Sequence, residues 1–162
     1  MTTIDRLDED AWERLAPLRL EALRTDQDAF GSSLAREEGF REMHWRMRLR
    51  SSAWFVAAQD GADVGLACVI QEPGAQEDER HLVSFWVRPD ARRRGAGRAL
   101  LDEAARWAAA DGGARLTLWL VRGNDGAAAV YRTAGFAPTG ETMALPRDPS
   151  RTEERWARGL AR

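Results

Sequence analysis

Residues 87–101 read V-R-P-D-A-R-R-R-G-A-G-R-A-L-L, and the fold turns on how this stretch is read. An apolar run, residues 82–87, halts just before Pro89. Arg92, Arg93 and Arg94 follow, then Gly95, Ala96, Gly97 and Arg98, and an alanine- and leucine-rich stretch with helical spacing begins. Gly95 and Gly97 carry no side chain, so the main chain there can approach an anion and adopt dihedrals that other residues resist. The first amides of a new helix have no partner within it, and the helix dipole adds partial positive charge. Together with the arginines, this layout suits a diphosphate gripped largely by main chain. The same letters also suit a basic turn ahead of an ordinary helix.

A second stretch decides between the two. A strand-like run, residues 116–121, leads into N-D-G-A-A-A-V-Y-R-T-A-G-F at residues 124–136. If Asn124 caps a helix starting near Asp125, Tyr131 sits about two turns in and Gly135 ends it. On these residues the chain resembles the GNAT superfamily of acetyl-CoA-dependent N-acetyltransferases. The family's phosphate signature, Arg/Gln-x-x-Gly-x-Gly/Ala, is met by Arg92, Gly95 and Gly97. Its second signature places Ala three and Tyr seven residues after an Asn, with Gly-Phe after the helix. Asn124, Ala127, Tyr131, Gly135 and Phe136 meet it. The match runs over residues 82–136.

The resemblance implies one N-acetyltransferase domain over residues 1–162. Its fold class is α/β (α+β), a mixed, mostly antiparallel sheet of six or seven strands with a splayed parallel central pair and about four flanking helices. It implies acetyl-CoA as co-substrate, its diphosphate on Arg92 to Arg98 and its pantetheine arm along the main chain of Phe85, Trp86 and Val87. The Val87 amide would face the thioester oxygen, where a donor aimed at developing charge is a large catalytic contribution. Asn124 would cap its helix and touch the cofactor arm. Tyr131 would be the general acid for the departing thiolate; the plain alternative is a tyrosine packed on a helix face.

The family often carries a glutamate base at the start of the central strand. His81 stands there, with Glu79 two residues earlier, and a histidine titrating near neutrality suits a base directly or through water. A solvated strand-entry histidine is the other reading. The acceptor wall falls on residues 29–38, where Phe30, Ser32, Ser33 and Glu37 offer an apolar surface, hydroxyls and a countercharge, with Glu38 beside them; a simple connecting loop would look the same. Trp45, Trp54, Trp86 and Trp119 suit either an apolar cleft or a core.

Composition narrows the rest. The 162 residues, 44% hydrophobic and 31% charged, are enough for one globular core. A net charge of −2 supplies no bulk field for nucleic acid, so no nucleic-acid partner is expected. A single cysteine, Cys68 in the apolar run V-G-L-A-C-V-I, excludes an internal disulfide and suits a cytoplasmic protein. Two histidines, His44 and His81, make no metal cluster, so no metal is expected. No leader and no apolar run long enough to span a bilayer is evident, so no membrane partner is expected. The expected partner is a small-molecule or peptide amine, and the family adds the option of a homodimer. A protein N-terminal or lysine acetyltransferase, and a silent CoA-binding module, share these motifs. A dinucleotide oxidoreductase does not, because the glycine spacing is not G-x-G-x-x-G.

Periodicity predicts a strand at residues 2–7 and a helix after Asp8 or Asp10 carrying Trp12, Leu15, Leu18 and Leu23, with Pro17 as a potential kink. Residues 25–33 read as a loop. A second helix is expected over residues 38–50 with Phe40, Met43, Met47 and Trp45 inward. Residues 54–59 and 64–71 form a hairpin pattern, and a strand at 82–87 precedes a helix at 95–110. A strand at 115–121, a helix at 125–134 and strands at 136–143 and 153–160 complete the reading, with 146–150 as a loop. Periodicity leaves the last segment open between helix and strand; the resemblance favours strand.

Overall fold

The structure, a computed structural model, describes residues 1–27 and 30–161. Its fold is mixed α/β around seven strands hydrogen-bonded in the order β1-β2-β3-β4-β5-β7-β6. The contacts divide into two compact units, Met1–Val69 with Ser84–Leu100, and Ile70–Val83 with Leu101–Arg162.

In the first unit, β1 (Thr2–Leu7) pairs antiparallel with β2 (Ala53–Gln59), which pairs antiparallel with β3 (Ala62–Ile70). The two-residue turn Asp60-Gly61 has φ of 52° and 79°, the mirror-image turn whose twist matches its strands. Asp8 accepts the Asp10 amide at 2.9 Å and opens a short turn before α1 (Trp12–Thr25). Leu15, Leu18, Ala22 and Leu23 bury one face of α1, and the helix runs through Pro17 despite the lost amide.

Of the helix expected over residues 38–50, α3 (Glu42–Ser51) forms, and a separate short helix, α2 (Leu34–Glu37), precedes it. The break carries Gly39, and α3 restarts at Arg41, whose amide donates to His44 Nδ1 at 3.1 Å. The restart keeps Trp45 inward as expected and adds Leu49 one helical step on, but it turns Met43 and Met47 outward, 69% and 56% exposed.

In the second unit, β5 (Arg115–Val121) runs parallel to the start of β4 (Glu79–Val87). Three residue pairs join them: Glu79 with Arg115, Arg80 with Leu116, and His81 with Thr117. Parallel neighbours need a long crossover, and α4 (Ala96–Ala110) supplies it. After β5 come α5 (Asp125–Thr133) and an antiparallel pair, β6 (Ala137–Leu145) and β7 (Asp148–Gly159). β7 also pairs antiparallel with β5. The strand expected at 153–160 is therefore real but begins at Asp148, inside the segment read as a loop. Its charged letters fit a strand because ladder partners flank it on both sides and its arginines are paired: Arg155 with Glu72 at 2.7 Å and Arg158 with Asp102 at 3.2 Å.

Candidate active site

The loop between β4 and α4, in the first unit, twists the main chain twice. Arg93 has φ 64° and Gly95 φ 92°, so non-glycine residues at both would be strained, and one already is. Two positive φ values within three residues fold the main chain tightly just before α4, the kind of turn in which amides can form an anion nest. The helical ladder of α4 opens with the Ala99 amide on the Gly95 carbonyl at 3.0 Å, which leaves the amides before it outside the ladder. The two glycines differ in purpose. Around Gly95 a Cβ would meet nothing within 4 Å, so its dihedral alone demands glycine. At Gly97 a Cβ would meet Phe85 Cζ at 3.3 Å and Val87 Cγ2 at 3.6 Å, so the helix start lies flat on the end of β4.

Arg92 ties this loop down. Its Nε donates to the Val87 carbonyl at 2.8 Å and its Nη2 to Asp26 Oδ2 at 3.0 Å. Trp86 Nε1 donates to the same Asp26 oxygen at 2.6 Å. On the far side, Gln59 Nε2 donates to the Arg94 carbonyl at 3.1 Å, and Arg94 pairs with Asp60. Nothing local in the sequence points to Asp26, which joins β4 and the loop from the end of α1. Ala96 is buried, Arg93 exposed, and Arg98 exposed on the first turn of α4. Within β4 itself, Ser84 has φ 56° in an otherwise extended strand.

In the second unit, Asn124 accepts the Ala127 amide at 3.2 Å and so caps α5. Tyr131 is half-buried in the last turns of that helix, its ring edge-on to Phe136 at 5.8 Å between centroids. Desolvation pushes its phenol above the ordinary value near 10, so the hydroxyl keeps its proton.

His81 does not titrate near neutrality as expected. It is buried, and its pKa is lowered to about 4 by desolvation and by the Arg155 charge, against opposing pulls from Glu72 and Glu79. Its Nδ1 lies 2.7 Å from Thr117 Oγ1, which also accepts from Arg155 Nη2 at 3.0 Å. Arg155 in turn holds Glu72 and Glu79. Beside this network lies a polar cavity of about 290 Å³ lined by Glu72, Glu79, Arg115, Glu141 and Arg155. Thr117 and Arg155 gave no sequence signal, because their part in the network comes from strand pairing.

Of the expected acceptor wall, Phe30 is buried with the Arg19 guanidinium 4.7 Å over its ring, Ser32 is half-buried, and Ser33 caps α2 by accepting the Arg36 amide at 3.2 Å. Ala29 lies outside the described residues. Glu37 is fully buried, and both its oxygens are taken: Arg19 donates to Oε1 and Oε2 at 3.0 and 3.1 Å, and Arg48 to Oε1 at 2.7 Å. Burial pulls this carboxyl up, but the arginine hydrogen bonds outweigh it and hold the pKa at about 2. Its charge is thus neutralised within the fold. Trp45, Trp54 and Trp86 are core residues, and Trp119 lies under the Arg155 guanidinium. Buried Cys68 has its thiol pushed up to about 12 by desolvation, which makes it inert. Among the described residues, no acidic, histidine or cysteine group could hold a metal ion, and no helix is long and apolar enough to cross a membrane.

Similarity to solved structures covers the whole chain. A GNAT-family acetyltransferase from Streptococcus pneumoniae superposes with a TM-score of 0.82 at 16% identity, over 99% of this chain and 100% of that one. The ribosomal-protein-S18-alanine N-acetyltransferase of Escherichia coli matches with a TM-score of 0.69 at 22% identity, over 100% and 96%. Nourseothricin acetyltransferase matches with a TM-score of 0.61 at 25% identity, over 68% and 66%. A search of curated proteins found no match. The sequence model of the acetyltransferase (GNAT) family matches residues 19–136, and the chain belongs to that family.

Proposed function

We propose that this chain transfers an acetyl group from acetyl-CoA to a primary amine of a small molecule or a peptide. The observation that supports this reading is the loop at residues 92–98, with positive φ at Arg93 and Gly95 and a helix start whose first amides lie outside the ladder, which suits an anion. In this reading the diphosphate lies on Arg93, Arg94, Gly95, Ala96, Gly97 and Arg98, while Arg92 holds the loop to Val87 and Asp26. The main chain of Phe85, Trp86 and Val87 takes the pantetheine arm, with the Val87 amide on the thioester oxygen.

Chemistry then needs little beyond alignment. The amine nitrogen attacks the thioester carbon, a C–N bond forms and the C–S bond breaks. Tyr131 gives its proton to the departing thiolate and is reprotonated from solvent, and Asn124 steadies the start of its helix. The amine must shed a proton as well. His81 is neutral at physiological pH, but it is buried and a pKa of about 4 makes it a weak base, so in this reading water carries most of that proton. Phe30 and Ser32 remain the acceptor-wall candidates in this reading. The related structures include one named for a ribosomal protein and one for nourseothricin, so peptides and small-molecule amines both belong in the test.

That test is an acetyl-transfer screen of primary amines and N-terminal peptides, read by free-thiol release, alongside thermal shift with acetyl-CoA. Turnover of any amine supports the reading. A thermal shift without turnover of any amine leaves a silent CoA-binding module, and no shift at saturating acetyl-CoA rejects the cofactor assignment.

A further inference from the structure

A serine at φ 56° inside a strand needs an explanation. Left-handed dihedrals in an extended strand make a bulge, usually built with glycine, that turns the following residues. Here the following residues are Phe85, Trp86 and Val87, whose main chain carries the cofactor in the proposed function. Glycine would take this dihedral without strain, so the serine hydroxyl must serve another end.

Its partner is Arg19. The Arg19 guanidinium, 4% exposed, donates through Nη1 to Ser84 Oγ at 3.2 Å. Its Nε–Nη2 edge is gripped by Glu37 in a fork, Nε at 3.0 Å and Nη2 at 3.1 Å. Arg48 holds the same carboxylate at 2.7 Å, and the Phe30 ring packs against the guanidinium face at 4.7 Å. A guanidinium forked along one edge on a buried carboxylate and packed on one face has little freedom to follow a moving serine. It pins the hydroxyl, and with it the left-handed turn.

We infer that Arg19 is a positioning residue for cofactor binding: anchored by Glu37, it locks the Ser84 bulge that aims the main chain of residues 85–87. This rests on the proposed function, since it assumes that those residues bind acetyl-CoA. The sequence distance of 65 residues between Arg19 and Ser84 hides the link from any local motif.

The test is acetyl-CoA affinity by calorimetry in four variants. Ser84→Val leaves the Arg19–Glu37 pair intact but places a β-branched residue where φ is positive, and it should weaken binding by about tenfold or more. Ser84→Gly keeps the dihedral accessible and should stay within about threefold of wild type. Arg19→Lys keeps the charge beside Glu37 but loses the fork, and should weaken binding by about tenfold. The double variant Arg19→Lys with Ser84→Gly should recover that loss, because glycine holds the bulge without a lock. Wild-type affinity in Ser84→Val, or an Arg19→Lys loss that glycine does not rescue, overturns the inference. If Arg19→Lys does not fold, a fifth variant decides: Ser84→Ala keeps the Cβ but deletes the hydroxyl that Arg19 holds, and should weaken binding by about fivefold, and wild-type affinity there overturns the inference. Failure of the wild type to bind acetyl-CoA is a separate result that removes the parent reading and this inference with it.

Discussion

The Phe136 amide donates to the Tyr131 carbonyl at 3.0 Å, and the two rings meet edge to face. The Gly135 amide donates to the Arg132 carbonyl at 3.1 Å, with Gly135 at φ 91°. These two bonds and the ring contact are a Schellman end, so the residue proposed as acid is fixed by its own helix's stop signal. Its raised phenol pKa keeps the proton in place until the thiolate forms. Tyr131→Phe should therefore lower kcat by about 10²-fold or more while leaving acetyl-CoA affinity within about threefold. Steady-state kinetics beside calorimetry measure the split, and unchanged kcat would remove Tyr131 from the mechanism.

Gly135 itself should be hard to replace. A Cβ there has room, with Arg158 Cδ at 3.7 Å, so dihedral strain is the main penalty. Gly135→Ala should destabilise by ~1–2 kcal/mol and lower the Tm by about 2–6 °C. It should also slow turnover more than it weakens acetyl-CoA binding, since the disturbed element carries Tyr131. A variant with wild-type Tm and kcat would show that the helix end can reorganise freely.

What the sequence revealed of this fold is what local chemistry controls. Gly95, Asn124 and Gly135 act through their own main chain or that of residues a few positions away, so their letters alone located the loop, the cap and the helix end. The run at residues 82–87 was legible as a strand because Leu82, Trp86 and Val87 are buried and Val83 and Phe85 half-buried, so all but Ser84 are apolar. Glu79, Arg80 and His81 extend that strand, yet their letters are polar: Thr117, Arg155 and Asp111 partner them, and no pattern near residue 79 reports residues so distant. α3 starts only at Glu42, after the break at Gly39, and its buried stripe keeps the expected Trp45 but pairs it with Leu49, leaving the methionines outside. Ser84 and Asp26 were silent for the same reason, since each acquires its part only through a partner brought in by folding.

The glycine pair offers a test that separates conformation from crowding. Gly95→Ala forces φ 92° on a residue with a side chain in open space, so its main effect should be a lost amide nest and about tenfold weaker acetyl-CoA binding. Gly97→Glu presses a Cβ toward Phe85 and adds a negative charge at the helix start, where it repels a diphosphate. Its loss should be larger, about a hundredfold, and should shrink with rising salt. Wild-type affinity in both variants would put the phosphates elsewhere.

His81 makes the sharpest pH prediction. Its pKa is about 4 in the folded chain, depressed by desolvation and by Arg155, against about 6.5 when exposed. Above pH 6.5 both states are neutral and the residue adds no pH dependence. As pH falls from about 6.5 to about 4, the unfolded chain takes up a proton that the folded chain refuses, so stability drops through that window and levels off below it. Urea unfolding at several pH values should show this slope in the wild type and a shallower one in His81→Gln. Imidazole NMR should place the folded midpoint near 4. Arg155→Gln should raise that midpoint by removing a repelling charge, and Glu72→Gln should lower it by removing an attracting one. A midpoint near 6.5 in the wild type would mean that His81 is solvated and free to act as a neutral-pH base, and the assignment of the amine proton to water would fall with it.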